Sequence, residues 1–439
     1  MISRKQDQEH LKAIFFSGLN AVVPKSILPP LLQANSNQLE VAGEVFDRKT
    51  LRNVWLLGAG KASGDMAQII EPFLLKECSQ NYQGGLIVVK DSKDYSLERT
   101  KILMAGHPLP DDRGEKAVHE IYRILEKVKP EDVILFLLSG GGSSLLPAPS
   151  SGISLREKQK LTDLLLNSGA SIHEINILRK HCSELKGGNF LKKTKGARVL
   201  TLAISDVPKD LPESIASGIT VPDPTTLADC LEILDRLDLV SKVPKSVLNL
   251  LKNPQSETPK PGDEIFRNSV FKIIATNQIA VKSSIDKAKK LGFRVITPPV
   301  FFSDPISQVV KRWEELKLNC DQENNQSCVI VCGGEPTVQI HGKGLGGRNM
   351  ELSLRLSNTL TGKFSFLSAG TDGQDGPTDA AGAFCDESTW GRADKMGLEG
   401  EDFLNRNDSY TFFKRLNDLF ITGPTGTNVM DLQILLAHF

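Results

Sequence analysis

DVILFLLSGGGSS, residues 132–144, sets six apolar residues between an aspartate and a serine–glycine loop. Polar residues do not alternate with apolar ones, so a strand here is covered on both faces, as in parallel sheets. The same pattern recurs on either side. NVWLLG (53–58), GLIVVK (85–90), KILMAG (101–106) and ARVLTLAISD (197–206) read as strands, with amphipathic helices predicted over 61–75 and 114–128. Strands alternating with helices indicate a doubly wound, Rossmann-like α/β layer with a mostly parallel sheet. NPQSETPKPGDEIFRN (253–268) reads as a linker, being proline-rich, mixed in charge and poor in apolar residues. Beyond it strands are expected near 270–275, 293–297, 328–332, 364–368 and 418–421, and helices near 277–291, 304–317 and 346–360.

A chain of 439 residues exceeds one ordinary core, which agrees with two domains. The predicted division is 1–256 and 257–439, each a three-layer α/β/α domain, with the last helix or strand able to return to the first. Two such domains facing one another would put the active site in the interdomain cleft, at their strand ends. Lys+Arg and Asp+Glu number 53 each, so no overall positive field draws in nucleic acid or an anionic membrane. Seven dispersed cysteines with no C-x-x-C pair read as reduced thiols of a cytosol-like compartment. Cys328 and Cys332 are expected on one buried strand face and lack the further ligands a zinc site needs. Asp7 and Glu9 precede the first apolar cluster, which fits neither a secretory signal nor a mitochondrial presequence. No apolar run reaches membrane-spanning length.

The loops after the strands carry the chemistry. In LLGAGKASG (56–64), Gly58 and Gly60 begin a dinucleotide-like turn, but serine stands at 63 and the third glycine at 64. No ribose-binding acid stands where the fingerprint needs one; the second strand ends in Lys90, followed by Asp91. What remains is a tight turn with Lys61 at a helix start, where a bound anion would relieve the lysine's conflict with the helix dipole. Ser139, Gly140, Gly141, Gly142 and Ser143 form a nest suited to phosphate. Arg179, Lys180, His181 and Lys186 cluster next, as an anion site or as a solvated helix face. Asp206, where its strand emerges, can hold magnesium, accept a proton from a substrate hydroxyl, or cap a helix. Gly333, Gly334 and Glu335 precede Gly347 and Arg348, and an arginine after paired glycines suits a carboxylate or phosphate. Finally, GTDGQDGPTDAAG (370–382) holds Asp372, Asp375 and Asp379 in a loop that does not match an EF-hand. These acids either attend a magnesium–phosphate complex or cap helices. Anion cradles plus acids without a covalent nucleophile fit phosphoryl transfer.

In order, GAGKA, LSGGGSS, RKHCSELKGG, ISDVP, SGITVPDPTT, GGEPTV, GLGGRNMEL, GTDGQDGPTDAAGA and TGPTGTNVMDL closely resemble the motifs of class-II glycerate kinases (glycerate 2-kinases), whose C-terminal part is the MOFRL domain. The resemblance runs from about residue 10 to the end. It implies transfer of the γ-phosphoryl group of ATP, with Mg²⁺, to D-glycerate, giving 2-phosphoglycerate, with 3-phosphoglycerate as the other regiochemistry. The family's lysine, aspartate and arginine fall on Lys61, Asp206 and Arg348, expected to be catalytic. Gly58, Gly60, Ser139–Ser143, Lys186, Gly333–Glu335 and Gly347 are expected to bind the nucleotide. Asp206, Asp372 and Asp375 are expected to hold the metal. The expected partners are small molecules only, the expected state monomer or homodimer, and the expected compartment the cytoplasm, with the mitochondrion second. Ile219 stands where many relatives have proline, and Lys209 where they have glycine. Some relatives have been labelled hydroxypyruvate reductase, which makes an NAD(P)H-dependent reductase the alternative.

Overall fold

The computed structural model describes residues 4–90, 93–298, 300–322 and 327–438. The chain forms two compact units, residues 27–274 and, together, residues 1–26 with 275–439. The division therefore falls near 275 rather than at 256, and the first helix, not the last element, crosses over.

The main sheet of the 27–274 unit has six strands: β1 (Val54–Ala59), β2 (Tyr82–Val89), β3 (Thr100–Met104), β4 (Val133–Leu138), β5 (Arg198–Ile204) and β6 (Ser269–Ala275). Their order is β3-β2-β1-β4-β5-β6. The pairs β1–β2, β1–β4, β2–β3 and β4–β5 are parallel. This is the doubly wound order, with its reversal between β1 and β4. Leu57, Ile134 and Phe136 enter one core, while Leu56, Leu135 and Leu137 are equally buried on the other face, so the unbroken apolar runs are explained. The segment predicted as the first strand of the second domain, 270–275, is instead β6, the sixth strand of this sheet. Between β4 and β6 the chain inserts a helical cluster. Its core includes Leu161 and Leu165 of α-helix Leu155–Asn167, Leu178 of Ile172–His181, and Leu234 of Leu227–Arg236.

The other unit holds β7 (Arg294–Ile296), β8 (Phe301–Phe302), β9 (Cys328–Gly334), β10 (Phe364–Gly370), β11 (Gly382–Asp386), β12 (Leu419–Phe420) and β13 (Asp431–Ala437). Their order is β7-β9-β13-β10-β11-β12, with β8 also on β9. The sheet is mixed: β7 and β8 run parallel to β9, whereas β13 lies antiparallel between β9 and β10. Ile330, Phe366 and Leu435 face one core; Val331, Leu367 and Ile434 are buried on the opposite face. The helix Arg4–Asn20 packs on Asn277–Lys290, where Gly18 leaves no room for a side chain: a Cβ would stand 2.3 Å from Ser284 Oγ. Ser284 Oγ donates to Ile14 O at 3.0 Å across the same contact.

Cys328 and Cys332 do share one buried face. Cys328, however, is joined to Cys320 by a disulfide, which corrects the expectation that every thiol is reduced. The other five cysteines are free and buried. Among the described residues no helix is long and apolar enough to cross a membrane.

Candidate active site

In the 27–274 unit the strand order reverses between β1 and β4, and the loops leaving their carboxyl ends are GAGKA and SGGGSS. Open α/β sheets bind ligands at this point. The two loops are stitched together. Lys61 N donates to Gly140 O at 2.9 Å, and Ala62 N donates to the buried Ser139 Oγ at 2.9 Å. The amides expected to receive an anion at the turn are thus satisfied within the protein, and Ser139 serves the turn rather than facing a ligand. Gly58 lies inside β1, where a Cβ would stand 2.4 Å from Leu137 O, and Gly60 (φ +145°) lies against Ser139. These two glycines serve packing. Gly142 likewise packs against Ala216 and the Ala59 carbonyl. Ser143 Oγ is 2.9 Å from Ser217 Oγ.

The basic cluster of 179–186 divides. Lys180 pairs with the buried Asp223, and His181 Nε2 lies 3.0 Å from Glu257 Oε1. Neither is solvated and neither faces the glycine loop. Arg179 and Lys186 line a cavity of about 280 Å³ together with Gly141, Ser143 and Ser144. Lys186 is held there because Gly187 N and Gly188 N donate to Ser217 O and Gly218 O at 3.0 and 2.8 Å. A third cation, Lys158, joins them. It stands on the buried face of its helix with Leu155, Leu161 and Leu165. Its Nζ donates to Pro147 O and Cys182 O, both at 2.8 Å, and burial pushes its amine down to about 7. Burial also lowers the pKa of Arg179. It does the same to Lys186, where Lys158 and Arg179 add repulsion. Asp206 follows β5, half-buried. After it Lys209 (φ +66°), Asp210 (φ +52°), Ala216 (φ +49°) and Ser217 (φ +59°) all take left-handed backbone. Four non-glycine residues in that region within one loop is a concentration of strain of the kind found at functional sites. Lys209 occupies a conformation that glycine takes without cost.

In the other unit Arg348 opens the helix Arg348–Thr359. Its Nε and Nη2 donate to Asp431 Oδ2 and Oδ1 at 2.6 and 2.9 Å, and Nη1 lies 3.2 Å from Glu335 Oε1. Burial alone would lower the arginine's pKa, but Asp431 and then Glu335 outweigh it and hold the pKa above its ordinary value. Asp431, fully buried, was not singled out from the sequence. Gly333 and Gly334 belong to β9, where their missing Cβ atoms make room for Asn277 and Phe302.

The aspartates of the 370–382 loop have three fates. Asp375 is buried: Oδ1 accepts from Asn349 N at 3.1 Å and Oδ2 from Met350 N at 2.8 Å. It caps Arg348's helix from outside, which corrects its assignment to a metal. Gly347 is glycine because a Cβ would stand 2.3 Å from Asp375 Cγ. Asp379 accepts from Tyr410 Oη at 2.8 Å. Asp372 is half-buried and accepts from Gln374 N at 3.1 Å. Among the described residues no trio of His, Cys, Asp or Glu is placed to hold a metal unaided. Asp91 lies outside the described residues.

A model described as a domain of unknown function, DUF4147, matches residues 10–252, and the MOFRL family matches 328–431. The chain is 35% identical to a glycerate 2-kinase of Pyrococcus horikoshii, over 95% of this chain and 94% of that one. The crystal structure of a glycerate kinase from Thermotoga maritima superposes with a TM-score of 0.82 at 34% identity, covering 98% and 99% of the two chains. The chain belongs to the glycerate 2-kinase (MOFRL-domain) family. A putative hydroxypyruvate reductase of Agrobacterium vitis is also similar, 35% identical over 87% of this chain and 86% of its own. As in other members, the reaction to be explained is that of a kinase acting on glycerate.

Proposed function

We propose that this protein transfers the γ-phosphoryl group of ATP to the 2-hydroxyl of D-glycerate in the cytoplasm. The observation that carries this reading is the convergence of Lys158, Arg179 and Lys186 on one cavity beside the switch-point loop. Phosphoryl transfer asks for positioning and charge neutralisation, which fixed cations supply. Lys61 and Arg348 would steady charge on the transferring group, and Asp206 would accept the proton of the attacking hydroxyl. Arg348 suits that work because two carboxylates fix its guanidinium before any ligand arrives. Magnesium that enters with its nucleotide needs only one or two protein carboxylates, the role we assign to Asp206 and, separately, to Asp372. When bound it would neutralise phosphate charge.

The reductase reading has against it the GAGKA turn. A dinucleotide's pyrophosphate seats on the free amides after the first strand, and here Gly140 O and Ser139 Oγ already take those of Lys61 and Ala62.

The test is to incubate the purified protein with D-glycerate and MgATP, or with hydroxypyruvate and NAD(P)H. ADP and 2-phosphoglycerate, the latter identified by phosphorus NMR, should form only in the first mixture. Lys61→Ala and Arg348→Ala should each lower turnover by roughly 10² with unfolding unchanged, the scale of one lost transition-state donor. NAD(P)H oxidation without ADP would sink the assignment.

A further inference from the structure

The cavity beside SGGGSS is more specific than a general anion site. Its volume of about 280 Å³ lies just under the range of roughly 300–1,000 Å³ typical of pockets for drug-sized ligands. That suits an acid of a few carbons better than a whole nucleotide. No Phe, Tyr or Trp is among its described lining residues, so they offer a purine base no broad ring to stack on. Pro108, Leu109 and Pro147 give it apolar walls.

Its charge is one-sided. Lys158, Arg179 and Lys186 face it, and among the described residues the single acid in the lining, Asp163, is solvent-exposed. Lys186 is 2% exposed, and no hydrogen-bond acceptor or carboxylate partners its amine among the described residues. A buried ammonium with no partner is costly, and an anion in the cavity removes that cost. Lys158 has two of its three amine protons on carbonyls, leaving one for the cavity. At the rim, Lys61 Cγ lies 3.6 Å from where a Cβ of Gly141 would be.

We propose that this cavity is the seat of the acceptor rather than of the nucleotide. Arg179 and Lys186 grip the carboxylate of D-glycerate, Lys158 backs them, and the apolar walls limit the acid's length. The inference rests on the glycerate kinase reading and reassigns Lys186 from nucleotide to acceptor. The donor then approaches from the Lys61 side.

Calorimetric titration of D-glycerate, and separately of MgADP, into the wild type, Arg179→Gln and Lys186→Met tests it. D-glycerate affinity should fall at least ~30-fold in both variants, the low end for truncating one member of a buried charged contact, and MgADP affinity should stay within about threefold. If Lys186→Met does not fold, Arg179→Gln carries the comparison, since that side chain is only half-buried. A second measurement needs no variant: D-glycerate, and not MgADP, should protect Lys186 from acetylation by acetic anhydride, read by peptide mass spectrometry. Loss of MgADP affinity with D-glycerate binding intact, or protection by MgADP alone, overturns the proposal while leaving the kinase reading standing. A wild type that binds D-glycerate in this pocket but never phosphorylates it would refute the kinase reading and leave the pocket assignment in place.

Discussion

Replacing Asp375 separates a helix cap from a metal ligand. In Asp375→Ala the amides of Asn349 and Met350 both lose their acceptor inside the protein. Each buried donor left unsatisfied costs about 1–3 kcal/mol, so the expected destabilisation is roughly 4 kcal/mol. That is a large share of the ~5–15 kcal/mol that holds a domain folded. Asp375→Asn keeps one acceptor oxygen and should cost less, with a dependence on pH. Burial pushes the Asp375 carboxyl up and the Met350 amide pulls it down; with the charge of Asp431 added it stands at about 7. The folded protein therefore binds this proton more tightly than the unfolded chain does. That contribution is complete below about pH 4 and is lost as pH rises through 7. The gap between wild type and Asp375→Asn should accordingly widen as pH falls from 7 to 5, by up to about 2 kcal/mol. Urea unfolding at pH 5, 6, 7 and 8, alongside a magnesium titration of turnover, measures both effects. Unchanged stability with a raised magnesium requirement would refute the cap and restore Asp375 to the metal.

Asp431→Asn should lower turnover roughly tenfold or more, because Arg348 loses the charged fork that fixes it. Asp431→Ala should add about 3 kcal/mol of destabilisation, measurable by denaturation, because Arg348 loses its bidentate partner and keeps Glu335 alone. D-glycerate affinity should weaken as pH rises above about 7, because deprotonating Lys158 removes a positive charge from the cavity. Among the described residues Cys182, Arg179, Lys186, His107, Asp163 and, at the rim, Lys61 are the other titratable or charged groups around it. Titrations between pH 6 and 9 should show that slope, and Lys158→Met should flatten it.

The parallel sheet was legible because its central strands β1, β4 and β5 are apolar runs ending in a glycine or acidic turn, a pattern that two-sided burial forces on the sequence. The other sheet was less so. β13 begins at Asp431 directly after a glycine–threonine turn, and its central place between β9 and β10 comes from pairing with segments far away in the chain. β11, with the sequence GAFCD, is as fully buried but too short for a periodicity to declare itself. The division of the chain was misread for a related reason. The linker-like 253–268 carries prolines because it runs over the surface, yet it leads into one more strand of the same sheet.

The site shows a sharper limit. Sequence identifies which residue types gather in a loop, and side-chain direction then decides their use. Arg179 and Lys180 are neighbours, but on a helix consecutive side chains diverge, so one lines the cavity and the other meets Asp223. Lys158 left a signal: a lysine among leucines at the helical repeat, on a face otherwise wholly apolar. A cation on such a face must find acceptors or a ligand, and here Pro147 O and Cys182 O satisfy it only in part. The three aspartates of 370–382 carried the opposite ambiguity, since close acids suggest a metal whether or not they point together. Asp375 turns to helix amides, Asp379 to Tyr410, and Asp372 accepts from Gln374 N beside the turn at Gly370, so the three do not point together. One carboxylate from that loop is what a cation arriving already ligated by phosphate would need.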